Sequence, residues 1–206
     1  MVFVIGITGS SCSGKTTFAK CVYQEIESSI YLSQDSFYLQ VPDDVKDLHK
    51  FNFDDPERLN NKQLLNTIQS IKKGKSYGVP NYNFETGKID GISNYENNNC
   101  EVLIIEGLFL FYNPEVYDEF DLKIFIDTDL DICLSRRISR DQVTHGCFSL
   151  ENIIDRWNRD VKSAYNDYVV QWKGKVDTVI NGNNSFDMSI TIIKTYISFL
   201  LKKIKN

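Results

Sequence analysis

Gly9-Ser10-Ser11-Cys12-Ser13-Gly14-Lys15-Thr16 follows an apolar run at residues 2–7 and precedes an amphipathic stretch at 15–26. This is a complete G-x-x-x-x-G-K-[ST] sequence with a strand before it and a helix after it. The two glycines let the backbone curl so that successive N–H groups converge on phosphate oxygens. Lys15 can reach the outer phosphates of a nucleotide, and the Thr16 hydroxyl can take one position on Mg²⁺. The helix adds the positive end of its dipole, with Thr17 in its first turn. Residues 9–17 are therefore expected to hold ATP, or GTP, through its phosphates. The loop does not say where the phosphate goes.

Outward from the loop, strand-like and helix-like stretches alternate. Residues 2–8, 29–33, 102–105, 122–126 and 176–180 read as strands. Residues 15–26, 129–143, 149–168 and 186–204 read as helices. Asn60 can cap a further helix containing Leu64, Leu65, Ile68 and Ile71, with Gln63 placed for a capping box and Gly74 ending it. The pattern predicts an α/β fold of three layers, a five-stranded parallel sheet covered by helices on both faces. Residues 75–96 break the alternation. They are rich in Tyr, Asn and Gly and read as a β-hairpin turning near 86–88. One domain over 1–206 is expected, with this hairpin inserted at about 75–96 and a helical lid at about 140–160.

The 206 residues carry a net charge of −5, which gives no broad electrostatic case for nucleic acid or an anionic membrane. No apolar run is long enough to span a bilayer. The lysines at 202, 203 and 205 read as a solvated helix end. Five cysteines, an odd number without a C-x-x-C pair, suggest reduced thiols. The first strand begins almost at residue 1, so no signal peptide is expected and a cytoplasmic location is.

Further carboxylates fall where the loop needs them. The strand at 102–105 ends in Glu106-Gly107, an acid beside the phosphate loop that can bind Mg²⁺ directly or through water. The strand at 29–33 is followed by Asp35, which can also approach the cation. A carboxylate there can take the proton of a hydroxyl attacking the γ-phosphate; alone, it would serve as well as a turn residue. Arg136, Arg137 and Arg140 lie on one predicted helix, where phosphate contact competes with pairing to Asp129, Asp131 or Asp141. Phe51–Pro56 and Pro80–Phe84 place aromatic rings beside polar groups. The rings can stack on a planar base or form the core of a small insertion, and a carboxylate can grip a vicinal diol.

Over nearly its full length the chain resembles the uridine–cytidine kinase group of P-loop nucleoside kinases, within the phosphoribulokinase/uridine kinase superfamily. The resemblance rests on residues 9–16, LSQDSFY at 32–38, FNFDDP at 51–56, PNYNF at 80–84, LIIEGLFLFY at 103–112 and FIDTDLDICLSRRISRD at 125–141. It implies transfer of phosphate from ATP or GTP, with Mg²⁺, to the 5′-hydroxyl of a ribonucleoside, uridine or cytidine. Asp35 matches the general base and lies near Mg²⁺ with Thr16 and Glu106. Lys15 and Arg140 match the phosphate-facing cations, and Arg136 joins them at the ATP side. Tyr38, Phe53, Tyr82 and Phe84 match the substrate pocket. Asp54, helped by Arg137, matches the acid that holds the ribose hydroxyls. Several members are homotetramers.

Three departures bear on the acceptor. Counting on from Tyr82, the family's base-reading histidine falls at Gly87, a residue suited to a tight turn. The family's Arg-Gly-Arg lid is His145-Gly146-Cys147 here. A family glutamine is Arg156, which is added to the substrate-side residues. These changes leave open another nucleoside or related alcohol, such as nicotinamide riboside. A GTP-driven switch lacks an N-K-x-D sequence, and a non-catalytic nucleotide-binding regulator sits poorly with intact Asp35, Thr16 and Glu106. His49 has no assigned partner.

Overall fold

The computed structural model describes residues 2–48, 50–144 and 149–205. The predicted positions at His49, His145, Gly146 and Cys147 lie outside them. In chain order the first elements are β1 (Phe3–Gly9), α1 (Lys15–Glu25), β2 (Ser29–Ser33) and α2 (Asn61–Lys72). Then come β3 (Tyr77–Asn83), β4 (Lys88–Tyr95), β5 (Val102–Glu106), α3 (Pro114–Tyr117) and β6 (Leu122–Asp127). The chain continues through α4 (Leu130–Ser139), α5 (Leu150–Arg156), α6 (Lys162–Ala164), β7 (Thr178–Asn181) and α7 (Asp187–Lys205).

Five strands form one parallel sheet in the order β2-β5-β1-β6-β7. Every residue of β5 is buried, as expected of a strand covered on both faces. Its side chains alternate between two cores. Leu103 and Ile105 join Phe37, Leu64, Ile68, Ile71 and Phe111 on one side. Val102 and Ile104 join Phe18, Val22, Ile124, Ile193 and Ile197 on the other. Each fully buried aliphatic side chain here stabilises the fold by about 1.5–3 kcal/mol. Because the pairing is parallel throughout, the C-terminal ends of β1, β2, β5 and β6 lie along one edge. Loops at that edge are the ordinary place for a ligand in open parallel sheets.

Two predicted helices differ in detail. The one expected over 129–143 is α-helical only to Ser139 and widens into a π-turn at Arg140–Thr144. Arg140 N–H still reaches Arg136 O, so the two arginines keep their i, i+4 relation and both line the same cleft. The one expected over 149–168 starts at the Ser149 cap, whose hydroxyl accepts from Asn152 N–H. It is then interrupted by π-turns at Trp157–Val161 and Tyr165–Val169. The capping box at α2 is modified too. Asn60 Oδ1 accepts from Gln63 N–H at 3.0 Å, but Gln63 Oε1 takes a hydrogen bond from Asn60 Nδ2 instead of the backbone, because Asn60 N–H is already donated to Phe37 O.

β3 and β4 form a separate antiparallel hairpin, with its register shifted between Pro80 and Tyr82. It rests on α2, where Thr67 Oγ1 donates to Gly78 O at 3.3 Å. Its turn rests on the segment after β2. Gly87 has φ +67°, its carbonyl accepts from Val41 N–H at 2.8 Å, and Lys88 pairs with Asp43. Among the described residues no helix is long and apolar enough to cross a membrane.

Candidate active site

The phosphate loop is built by backbone geometry first. Cys12 takes φ +59° and Gly14 φ +103°, both in the left-handed region, and α1 starts immediately after. Ser13 N–H donates to Ser10 O at 3.1 Å, which tightens the curl. The neighbouring strand-to-helix junction buttresses it. Thr128 Oγ1 and Arg136 Nη1 both donate to Ser13 O, at 2.8 and 3.3 Å, and Arg136 Nη2 donates to Gly182 O at 2.9 Å. Arg136 thus braces the loop from behind while lining the cleft in front of it. Lys15 is buried and its Nζ donates to Ser10 O at 2.8 Å, folded back over the loop.

The loop opens onto a cleft of about 1860 Å³. Thr16, Thr17, Asp35, Glu106, Arg136 and Arg140 line it at the loop end. Asp35 follows β2, in a single turn of 3-10 helix capped by Ser33. Its carboxylate opens to the cleft solvent but is ringed by protein. Burial, followed by the charge of Glu106, raises its pKa to about 6 against the opposing pull of Lys15 and Arg140. Lys15 and Glu106 line the cleft with Asp35.

Glu106 is almost fully buried and is tied down. Its Oε1 accepts from Ser33 Oγ at 2.8 Å and from Tyr31 Oη at 3.0 Å. β2 and β5 pair in parallel with Ser33 opposite Glu106, and Tyr31 lies two residues earlier on the same face. Thr16, Asp35 and Glu106 supply only oxygen donors, the set a hard cation such as Mg²⁺ takes when substrate phosphates and water complete its shell. Oε2 of Glu106 receives no hydrogen bond from the described residues and remains available, so the donor set fits the ion.

The far end of the cleft carries Tyr38, Phe53, Asp54, Tyr82, Phe84 and Arg156. The four rings form one cluster. Tyr38 lies 5.6 Å from Tyr82 and 5.4 Å from Phe84, while Phe84 lies 4.8 Å from Tyr82 and 6.0 Å from Phe53. Phe84 remains half exposed and Tyr82 Oη has no partner among the described residues. The arrangement is both a small core and an aromatic wall. Burial raises the Asp54 pKa, with Arg137 and then Arg156 pulling the other way. Arg156 sits 5.8 Å over the Phe53 ring. Arg137 bridges the two ends. Its Nη1 donates to Ser11 Oγ at 3.3 Å and its Nε lies 3.3 Å from Asp141, both side chains of the pair being buried.

The structure therefore gathers the sequence-predicted site residues around one cleft or, for Gly9, Ser10 and Ser13, inside the loop that forms its end. Gly87 is absent from the lining and faces Val41 instead. Sequence reading missed Tyr31, Ser33 and Thr128, none of which carries a local sign of its partner. Asp141 was among the acids expected to pair with the arginines, and it pairs with Arg137 and Arg140.

A family model described as Phosphoribulokinase / Uridine kinase family matches residues 4–189. The chain belongs to the phosphoribulokinase/uridine kinase family. Uridine kinase-like protein 3 of Arabidopsis thaliana is 33% identical over 198 residues, which cover 95% of this chain and 42% of that protein. Uridine-cytidine kinase B of Dictyostelium discoideum is 31% identical over 205 residues, covering 98% of this chain and 83% of that protein. The chain spans about two fifths of the length of the Arabidopsis relatives it matches. Among solved structures, a putative fructose transport system kinase from Silicibacter sp. superposes with a TM-score of 0.65 at 17% identity, covering 86% of this chain and 89% of that one. Phosphoribulokinase from Rhodobacter spheroides superposes with a TM-score of 0.61 at 21% identity, covering 89% and 73%. At these identities the structures share the family's fold with this chain.

Proposed function

We propose that the protein is an ATP-dependent kinase that phosphorylates the 5′-hydroxyl of a ribonucleoside, uridine or cytidine first among the candidates. The observation that carries this reading is the position of Asp35. It shares one cleft with Lys15 and Glu106 on the phosphate side and with Asp54 on the other, and its pKa of about 6 suits a base working near neutrality. The hydroxyl oxygen attacks the γ-phosphorus, its proton passes to Asp35, and the bond to the β-phosphate oxygen breaks to release ADP. Lys15 and Arg140 neutralise charge on the moving phosphoryl group. Thr16, Glu106 and Asp35 would hold Mg²⁺, which would supply charge neutralisation when bound. Asp54 grips the ribose diol with Arg137 beside it, and Tyr38, Phe53, Tyr82 and Phe84 take the base. Residues about 140–160 act as a lid that excludes water. Kinase and uridine–cytidine names among the relatives support the same assignment. The free thiols of Cys12, Cys21, Cys100 and Cys133 fit a cytoplasmic setting.

A second acceptor class, another nucleoside or a related alcohol such as nicotinamide riboside, is favoured by one observation. At the base end the hairpin turn faces Val41, while Arg156 lies over Phe53. ADP release with Mg·ATP across a panel of nucleosides, repeated with Asp35→Asn, tests both. Uridine- or cytidine-dependent turnover that the substitution abolishes is the expected result. Turnover with a different nucleoside moves the assignment to the second class. ADP release without any acceptor, unchanged by the substitution, overturns both.

A further inference from the structure

We propose that Ser33 and Tyr31 are positioning residues that fix the metal-facing carboxylate, resting on the nucleotide-binding part of the reading above. Both hydroxyls donate to the same oxygen of Glu106, Oε1, at 2.8 and 3.0 Å. A carboxylate so held cannot rotate about its last bond without losing both hydrogen bonds, each strengthened by the charge on its acceptor. Oε2 is left to face the cleft beside Thr16 and Asp35.

Ser33 does a second thing with the same oxygen. Its Oγ accepts from Asp35 N–H at 3.3 Å while its proton goes to Glu106. One hydroxyl therefore spans the acid that faces the cation and the backbone of the residue that faces the acceptor. The parallel register, Ser33 opposite Glu106, makes this bridge a property of the sheet and not of a mobile loop. Tyr31 is oriented independently, against Tyr23 at 6.2 Å between ring centroids and with Lys20 above its face at 5.9 Å. Outer-shell partners of this kind commonly set metal affinity by one or two orders of magnitude.

The test is calorimetric binding of ATP to the full chain, with Mg²⁺ and with EDTA, for wild type, Ser33→Ala, Ser33→Thr and Tyr31→Phe. Ser33→Ala and Tyr31→Phe are expected to weaken Mg²⁺-dependent binding about ten-fold each while leaving metal-free ATP binding unchanged. Ser33→Thr keeps the donor and is expected to restore wild-type binding. If Ser33→Ala fails to fold, Tyr31→Phe and Ser33→Thr still decide the matter. Equal Mg²⁺ dependence in wild type and Tyr31→Phe overturns the inference, and so does a wild type whose ATP binding ignores Mg²⁺. A wild type that binds Mg·ATP with the predicted pattern but phosphorylates no nucleoside overturns the proposed acceptor and leaves this inference standing.

Discussion

Gly87 and Val41 are locked together: the glycine carbonyl accepts the valine amide at 2.8 Å, and a Cβ at Gly87 would lie 2.6 Å from Val41 Cγ2. With φ at +67°, any side chain there is strained as well as crowded. Gly87→His, which restores the residue the family carries at this count, is therefore expected to destabilise the protein by about 1–3 kcal/mol. It is not expected to sharpen pyrimidine preference. Thermal unfolding and a nucleoside panel check both. Adding Val41→Ala should recover part of the stability, and a gain in uridine selectivity from Gly87→His alone would refute this view of the turn.

Asp35 links protonation to stability. In the free protein its pKa stands at about 6 against an ordinary value of 3.8, through burial first and Glu106 second. The folded state therefore holds this proton more tightly than the unfolded chain. Its contribution to stability is full below about pH 4 and is lost as pH rises through about 6. Asp35→Asn is expected to raise Tm at pH 7.5 in EDTA and to leave it nearly unchanged at pH 4. The same substitution should lower kcat by about 10²–10⁴, the usual worth of a general base. A Tm gap that widens toward acid would reverse the sign and contradict the argument.

Asp141 neutralises a buried guanidinium. Arg137 and Asp141 are both shielded from solvent, and Arg140 Nε reaches the other carboxylate oxygen at 2.7 Å. Removing the charge with Asp141→Asn breaks this buried ion pair, a loss expected to cost about 3–5 kcal/mol. Urea unfolding at neutral pH measures it. A change below about 1 kcal/mol would show that Arg137 finds compensation elsewhere.

Arg136 acts on the loop through two carbonyls, Ser13 O and Gly182 O. Arg136→Met keeps the aliphatic stem and removes the donors. Ser13 O retains Thr128, but Gly182 O loses the guanidinium, so a stability loss of about 1–3 kcal/mol is expected together with weaker ATP binding. Calorimetry with ATP and a denaturation curve separate the two effects. Unchanged ATP affinity in a destabilised variant would make Arg136 a brace alone.

The phosphate loop, the five strands and the hairpin were legible because each depends on local chemistry: glycines at left-handed turns, unbroken apolar runs, and a Tyr/Asn/Gly-rich interval. Glu106 and Asp35 were legible because one ends the apolar β5 and the other lies two residues past β2. What was hidden depends on neighbours distant in the chain. Nothing local says that Ser33 stands opposite Glu106, since that follows from strand order β2-β5-β1. Likewise, Gly87 reads as a turn residue from its own surroundings, whereas its contact with Val41 requires knowing where the segment after β2 lies. The π-turns at Arg140–Thr144 and Trp157–Val161 contain neither Gly nor Pro, so periodicity extends the helices straight through them.

The hairpin β3–β4 hydrogen-bonds to no strand of the five-stranded sheet. Side chains on it can therefore be exchanged, and the acceptor end of the cleft reshaped, without altering the pairing that aligns Ser33 with Glu106.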